Sequence, residues 1–386
     1  MSKVVCYVGG GAASIISAII LKKHCLNDDV IVLESNKPLQ KLKMTGNGKC
    51  NIAPLNDDPN KYNNPEFVKE LFNEIPLNKY LDVLRELGIE TKTIKEYGYY
   101  PVSESAPNVA SILLSQCERY GVRIVNDYVI KYQKTKEGYK VVGKSGKYFA
   151  NYIVFGTGSV AHIKDDGASS VLRMFNRQGY KVIETVPSLC PIKVKEDVRS
   201  LFGVREEVQV SLYRNKKLIK SEVGELNFKK DGLSGICVMN LSKYVKRTEI
   251  HTIKVNFLYN RDIHFLGGLT IKEYLLSIVK LPLVLYVIKN LKLREKDQMT
   301  EKSFKQISNY LSSMTFTVKG LYDFNEAQVA RGGISIEEIN KNFSSKREEN
   351  IYLIGELLDI DGECGGYNLR FAITSGIMSA LHLSEK

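Results

Sequence analysis

Hydrophobic positions near the start of the chain follow the order strand, turn, helix, strand. Residues 3–8 form a short apolar run typical of a buried parallel strand, and residues 9–14 form a glycine-rich turn. Residues 15–25 have the apolar character of the helix that follows this turn, and residues 30–33 predict a second strand that ends at Glu34. The pattern predicts a βαβ unit.

A similar pattern recurs near the end of the chain. Residues 351–354 predict a strand, and a glycine-rich turn separates it from a helix that starts at Asn368. Residues 191–260 alternate apolar and polar positions in short strands, whereas residues 270–314 have helical spacing. Because the strand at 351–354 completes the first sheet, we predict an α/β fold with a Rossmann-like domain built from both chain ends.

The first glycine turn has the residues that a dinucleotide requires. Gly9 permits the tight turn, and Gly11 lets the backbone approach a pyrophosphate, whose charge the helix amides stabilise. Glu34 is placed to accept both ribose hydroxyls of an adenosine, and Ser14 stands where a third glycine is usual. Glycines with a purely steric role are the alternative. Two such turns at opposite ends of one chain indicate a single large dinucleotide, FAD.

The chain therefore divides into an FAD-binding domain with an insertion. We predict the FAD-binding domain at 1–185 and 335–386, an inserted β domain at 186–268 and 315–334, and a helical subdomain at 269–314. Residues 275–293 are the most hydrophobic helix, but lysines and a proline interrupt it, and no stretch is long and apolar enough to span a bilayer. We expect a cytoplasmic protein with no membrane partner.

The cysteine spacing and the charge distribution argue against a metal site and against a nucleic-acid site. The 386 residues carry a formal net charge of +12 and include seven scattered cysteines. The cysteines form neither a Cys-x-x-Cys pair nor a zinc-spaced cluster with histidine, so we expect reduced thiols and no metal. Because the lysines form no uninterrupted basic run and no RNA-binding signature, we expect a solvated surface and consider nucleic acid an unlikely partner.

A second glycine-bearing loop lies at residues 41–54. Its glycines permit close backbone approach, and Thr45, Asn47 and Asn51 supply donors for phosphate, ribityl or flavin-ring oxygens. An ordinary surface turn is the alternative. We expect Cys50 in this loop and Cys364 near the last glycine turn to be small packed residues rather than flavin-proximal thiols.

Six segments together resemble one protein family. They are residues 9–13, 41–54, 99–106, 232–235, 327–333 and 355–369. In this order, from end to end of the chain, they resemble the HI0933-like, or BaiN-like, family of NAD(P)/FAD-dependent oxidoreductases. Three features depart from the family pattern: Lys49 replaces an arginine, the stretch after Gly158 is shorter and less glycine-rich, and residues 228–231 replace a Thr-His pair. These departures concern the substrate side more than the retention of FAD.

The resemblance implies a set of cofactor-binding residues. Around the pyrophosphate and the adenosine they are Gly9, Gly11, Ala12, Ala13, Glu34 and, through its backbone, Val129. Towards the flavin they are Lys41, Leu42, Thr45, Gly46, Gly48, Lys49, Cys50 and Asn51. The turn beside FAD is Gly156, Thr157 and Gly158, and the C-terminal residues are Gly355, Glu356, Asp361, Gly366, Tyr367, Asn368 and Leu369.

The resemblance also implies the reaction. NADH or NADPH would reduce FAD, and the flavin would pass hydride to an activated C=C bond of a small-molecule substrate, or electrons to oxygen. Residues 156–161 match a dinucleotide fingerprint and offer a separate NAD site as the alternative, but 162–167 have the composition of a polar loop, so we favour transient docking at the flavin. No catalytic acid or base is assigned. A flavoprotein that acts on RNA through its basic central region is the alternative function.

Overall fold

The computed structural model describes residues 2–94, 98–161, 167–246 and 248–386. The chain forms two compact units, one of Met1–Val186 with Val329–Lys386 and one of Pro187–Gln328. Each unit has its own apolar core.

The N-terminal part of the first unit contains β1 (Val4–Val8), α1 (Ala12–His24), β2 (Asp29–Glu34), α2 (Pro65–Glu74), α3 (Leu77–Glu86), β3 (Thr91–Ile94), β4 (Gly98–Pro101), α4 (Ala106–Tyr120), β5 (Arg123–Asn126), β6 (Val129–Lys134), β7 (Tyr139–Gly143), β8 (Lys147–Ala150), β9 (Tyr152–Phe155) and α5 (Gly167–Arg177).

The remaining elements complete both units. Strand β10 (Val182–Ser188) precedes the second unit, which contains β11 (Ile192–Val194), β12 (Arg205–Arg214), β13 (Lys217–Lys229), β14 (Gly232–Ser234), α6 (Ile236–Ser242), β15 (His251–Asn256), α7 (Ile271–Leu276), α8 (Leu281–Leu291), α9 (Glu301–Ser312) and β16 (Met314–Leu321). The chain then returns to the first unit through β17 (Val329–Ile334), β18 (Ile351–Leu353) and α10 (Tyr367–Ser384).

The central sheet of the first unit joins strands from both chain ends. Its order is β18-β9-β1-β2-β5, and all four pairings are parallel. The strands are rich in valine, isoleucine and leucine because a parallel sheet is covered on both faces. The predicted strands at 3–8, 30–33 and 351–354 are confirmed, as is the Rossmann-like fold.

Small residues bring the first and last helices into close contact. A Cβ atom on Gly376 of α10 would lie 2.3 Å from the Ala13 carbonyl oxygen of α1. Further along the contact, the Ser17 and Ser379 hydroxyl oxygens are 3.0 Å apart, and the Tyr7 hydroxyl lies 2.9 Å from Ser17. The two chain ends are therefore packed together on one face of the sheet.

The second unit is a closed six-stranded barrel, in the order β11-β14-β13-β12-β15-β16, with helices α6 to α9 beside it. The predicted helix at 275–293 is wrong in its continuity, because α7 ends at Leu276 and α8 begins at Leu281. Pro282 lies in the first turn of α8, where its missing N–H costs no hydrogen bond. In the described part of the chain, no helix is both long enough and apolar enough to cross a membrane.

Two further boundaries differ from the sequence prediction. Helix α1 begins at Ala12, three residues earlier than predicted, because the turn needs only Gly9 to Gly11. Of the predicted polar loop at 162–167, residues 162–166 lie outside the described residues, and Gly167 begins α5.

Candidate functional site

A cleft opens at the carboxyl ends of β1 and β2, where doubly wound sheets bind their ligands. Seven of the predicted residues line it: Gly9, Gly11, Glu34, Lys41, Val129, Thr157 and Gly158. A second hollow, at the opposite edge of the sheet, is bordered by Lys3, Lys134 and Asn350 and contains none of the predicted residues. The geometry therefore gathers the predicted phosphate and adenosine residues in one place.

Glycine at position 9 is required by both conformation and space. Its φ of +97° is one that other residues rarely adopt, and a Cβ atom there would lie 2.7 Å from Thr157 Cα and from the Gly156 oxygen. Gly11 is the N-cap of α1, and no side chain of the described residues caps this end of the helix. The first amides of α1 are therefore available to an anion at the cleft.

Ser14 faces the other glycine turn. It is fully buried, and its hydroxyl donates to the Gly156 carbonyl at 3.4 Å. A Cβ atom on Gly156 would lie only 2.2 Å from the Ser14 oxygen. The serine at the usual third glycine position is thus accommodated because Gly156 has no side chain.

Glu34 is held at the rim of the cleft by backbone amides. Its carboxylate accepts from the Gly10 amide at 2.6 Å and from the Asn36 amide at 2.8 Å. Each carboxylate oxygen has a second lone pair, so the group keeps capacity to accept from ribose hydroxyls.

One buried polar atom of the cleft lacks a partner. The Thr157 hydroxyl oxygen is buried and forms no hydrogen bond with any residue that the structure describes. Buried hydroxyls are nearly always hydrogen-bonded, so an orphan at a cleft wall indicates a missing ligand. Together with the glycine cradle and the uncapped helix end, this atom shows that the residues present fit a dinucleotide.

A charged network that sequence reasoning missed adjoins the cleft. The Lys41 ammonium donates to Ser159 at 2.9 Å and 3.0 Å and pairs with Glu356 at 3.2 Å, and the Ser159 hydroxyl donates to Glu356 at 3.0 Å. Ser159 is buried, one residue beyond Gly158. The network fixes Lys41, whose motif lies far from Glu356 in the sequence.

The loop at 41–54 is tightly wound. Gly46 and Asn47 both have positive φ, and a Cβ atom on Gly46 would lie 2.7 Å from the Asn51 amide. The Thr45 hydroxyl donates to the Leu42 carbonyl at 2.7 Å, and Leu42 is buried in the core. Gly48, by contrast, has open space around it.

Among the residues that the structure describes, Lys41 is the one predicted residue of this loop that lines the cleft. Cys50 is fully buried, and burial raises the pKa of its thiol to about 11, so the thiol is protonated at neutral pH. The Lys49 ammonium is half exposed and pairs with Glu104 at 2.9 Å. Hydrogen bonds from Lys92 and Lys49 lower the pKa of the Glu104 carboxyl to about 2. The salt bridges join this loop to the segment at 99–106.

The start of α10 lies against the same loop. Gly366, its N-cap, has a φ of +92°, and a Cβ atom there would lie 2.7 Å from the Asn51 side-chain oxygen. The Tyr62 hydroxyl donates to the Tyr367 carbonyl at 2.7 Å, and Leu369 packs against the core. The loop and the C-terminal turn, predicted separately, thus form one surface.

The other C-terminal residues support that surface. The Asn368 side-chain oxygen accepts from the Gly362 amide at 2.8 Å, and the amide of the fully buried Asp361 donates to Asn63 at 2.9 Å. Gly355 lies where α1 and α10 meet, with its would-be Cβ atom 3.2 Å from the Ala13 Cβ atom. Ala12 is half-buried at the start of α1.

Arg370 is not a cleft residue. Its side chain is fully buried, forms a bidentate ion pair with Asp57 at 3.1 Å and 2.8 Å, and lies over the rings of Phe72 and Tyr80 at 4.2 Å and 4.4 Å. This arginine is buried because it pairs with an aspartate far away in the chain.

Together, the parallel sheet, the glycine cradle at its strand ends and the uncapped N-terminus of α1 define a dinucleotide-binding protein of the Rossmann-like class. The chain belongs to the HI0933-like family, because the HI0933-like protein Rossmann domain matches residues 3–382. The resemblance found in the sequence motifs is confirmed.

Known relatives cover the whole chain. A 3-dehydro-bile acid delta(4,6)-reductase of Clostridium scindens is 24% identical over 403 residues, with 98% of each chain covered. A ribosomal RNA dihydrouridine synthase of Haemophilus influenzae is 26% identical over 401 residues, again with 98% of each covered. A variant of E. coli quinol fumarate reductase FrdA is similar in fold, with a TM-score of 0.54 and 11% identity over all of this chain and 70% of that one.

Proposed function

We propose that the protein reduces a C=C bond conjugated with a carbonyl group, with NADH or NADPH as a transient electron donor. Both relatives with named reactions support this choice, although their substrates differ. A 3-dehydro bile acid with Δ4,6 unsaturation has its double bonds in conjugation with the 3-oxo group. In uridine, the 5,6 double bond is conjugated with the 4-oxo group. Saturation of this double bond gives dihydrouridine.

The protein residues would bind and orient the cofactor. Glu34 would accept from the ribose, the amides that follow Gly11 would bind the pyrophosphate, and Thr157 would gain the partner that its buried hydroxyl lacks. The N-terminus of α10 would place its positive dipole end near developing negative charge. Reduced FAD would supply the hydride to the β carbon of the acceptor, and a proton would reach the α carbon.

The position of the Gly156-Thr157-Gly158 turn supports transient docking of the donor. Thr157 and Gly158 line the same cleft as Gly9 and Gly11, which supports assigning this fingerprint to the FAD cleft rather than to a separate dinucleotide domain. The single observation that carries the proposal is this one cleft, which is built by motifs from distant parts of the chain.

Anaerobic spectroscopy tests the proposed reaction. We expect NADH or NADPH to bleach the bound flavin, and a 4,6-dien-3-one steroid or a uridine-containing RNA to restore its colour with saturation of one double bond. A flavin that neither donor reduces would contradict the proposal. A flavin that is reduced but reoxidised only by oxygen would indicate an oxidase instead.

The second candidate is that the reduced C=C bond belongs to a uracil in RNA. The unit Pro187–Gln328 contains 24 lysine and arginine residues against 15 aspartate and glutamate residues, a net charge of +9. Most of the +12 of the whole chain therefore resides in the barrel unit, which suits a polyanionic substrate. This uneven distribution is the observation that favours the second candidate.

A further inference from the structure

Polar side chains occupy much of one outer face of the barrel, beside the exposed Leu218 and Val223 of β13. Along β12, Val208, Val210 and Leu212 are buried, so the alternate residues Ser211 and Tyr213 point outward. The same alternation in the neighbouring strands places further hydroxyl and ammonium groups beside them. We call this surface the outer barrel face and define it by Ser211, Tyr213, Ser221, Thr252, Lys254 and Thr315.

The strand register makes this face continuous. Ser211 lies between Ser221 and Lys254, and Lys254 is paired with Thr315 on its other side. The Lys254 ammonium lies 4.9 Å from the centroid of the half-buried Tyr213 ring. An aromatic ring, a cation and a row of hydroxyls therefore lie on adjacent strands.

The β12–β13 hairpin adds charge at the edge of the face. Its tip carries Lys216 and Lys217, both exposed, in a turn where Asn215 and Lys216 have φ of +49° and +68°. Among the residues that the structure describes, neither lysine forms an ion pair, and neither does Lys254.

Acids also lie on the strands and turns around this face. Glu249 pairs with Arg214 at 3.0 Å, Glu196 accepts from the Thr317 amide at 2.9 Å and 2.8 Å, and the exposed Glu207 alternates outward with Ser211 on β12. Among the described residues, none of these carboxylates forms an ion pair with Lys216, Lys217 or Lys254.

We propose that the outer barrel face, with the hairpin tip at Lys216 and Lys217, binds single-stranded RNA. The lysines would contact phosphates, a base would stack on Tyr213, and the serine and threonine hydroxyls would bond ribose and base edges. The sequence-based expectation that nucleic acid is an unlikely partner rested on the absence of a basic run, whereas the fold places Lys254 beside the Tyr213 ring on the outer barrel face. The inference rests on the second candidate function, since only an RNA acceptor needs a docking surface on the barrel.

Salt-dependent binding of the FAD-loaded protein to a labelled oligouridylate of about 12 nucleotides, within the site sizes of single-strand binders, tests the proposal. The double variant K216A/K217A should bind more weakly, and its slope of log K against log salt should fall by about 1.4, since each lost phosphate contact contributes about 0.7. The control variant K302A/K305A removes two exposed charges from α9 of the same unit. Equal losses in both variants, or no binding by the wild-type protein, would overturn the proposal.

Substitutions at Tyr213 test the stacking contact. Tyr213→Leu should weaken binding roughly 5- to 100-fold, whereas Tyr213→Phe keeps the ring and should bind like the wild type. Unchanged affinity in Tyr213→Leu would contradict a base on this ring. FAD content and anaerobic bleaching by NADPH should be unaltered in every variant, so a failure of RNA binding with intact flavin reduction counts against this inference alone. A wild-type flavin that no donor reduces counts against the proposed function.

Discussion

At the scale of single residues, the cleft and the loops beside it depend on where side chains are absent. Gly9, Gly156 and Gly366 each lie against backbone or a polar atom at distances that no Cβ atom tolerates. The charged groups then occupy the space that remains: Glu34 is held by two amides, and Lys41 by Ser159 and Glu356. The site is therefore rigid in its backbone.

Gly9→Ala tests the first of these contacts. The variant should lose FAD affinity and unfold more easily, because its methyl group would meet the Gly156 and Thr157 backbone at 2.7 Å in addition to the strain of a positive φ. Gly203→Ala is the matched control: its φ is +82°, and its methyl group would have open space, so only the conformational cost of about 1 to 2 kcal/mol applies. Thermal unfolding and FAD titration of both variants give the comparison, and equal effects would show that the contact is unimportant.

Glu34→Gln tests the acid at the rim. Loss of charge-assisted hydrogen bonds to the ribose should cost about 1 to 3 kcal/mol of FAD binding, or roughly 5- to 150-fold in affinity. Asp29→Asn removes a charge from the other end of the same strand, where Asp29 pairs with Arg123 at 2.6 Å, and should leave the affinity unchanged. Flavin fluorescence measures the FAD affinity of both variants and of the wild type. A Glu34→Gln variant that binds FAD like the wild type would show that Glu34 does not contact the ribose.

At the scale of elements, the proposed site combines the N-termini of two helices, α1 and α10, with the glycine turns at 9–11, 156–158 and 365–366. Helices α1 and α10 come from opposite ends of the chain, and both N-termini are capped by glycine rather than by a side chain. Behind them, β17 supports the loop after β18: the Gly332 amide donates to Asp359 at 2.9 Å, and a Cβ atom on Gly333 would lie 2.6 Å from the Leu357 oxygen. The segment at 327–333 therefore contacts the loop after β18 and supports its position.

Gly376→Ala tests the contact of the two helices. Alanine is favoured over glycine in a helix by about 1 kcal/mol, so intrinsic propensity alone predicts a more stable protein. We expect the opposite, a destabilisation of about 1 to 3 kcal/mol, because the new methyl group would lie 2.3 Å from the Ala13 carbonyl oxygen. Denaturant unfolding followed by flavin release measures the sign, and an increase in stability would contradict the close packing described above.

At the scale of the whole molecule, sequence patterns predicted the sheet well because period and glycine chemistry are local properties. The strand at 351–354 was placed in the first sheet correctly since an apolar run before a glycine turn has few other uses in this fold. Contacts between distant segments were not predictable. Ser159 joins the site only because β9 and β18 are neighbours, and the pairing of Arg370 with Asp57 depends on the folded core.

The arrangement of charged side chains on the surface likewise depends on contacts between distant segments. Counting lysines along the chain indicated an ordinary solvated surface, since no basic run is present. The barrel instead places Lys254 beside Tyr213 across two strands and presents Lys216 and Lys217 on a hairpin tip. A surface of this kind is defined by strand register, which the alternating pattern does not specify.

The central claim is that residues from both chain ends form one FAD site. Equilibrium titration of the flavin-free protein with FAD tests it most directly, with bound flavin counted after denaturation. The account predicts a yellow protein that binds one FAD per chain and releases it intact. A protein that stays colourless and takes up no FAD would contradict the account.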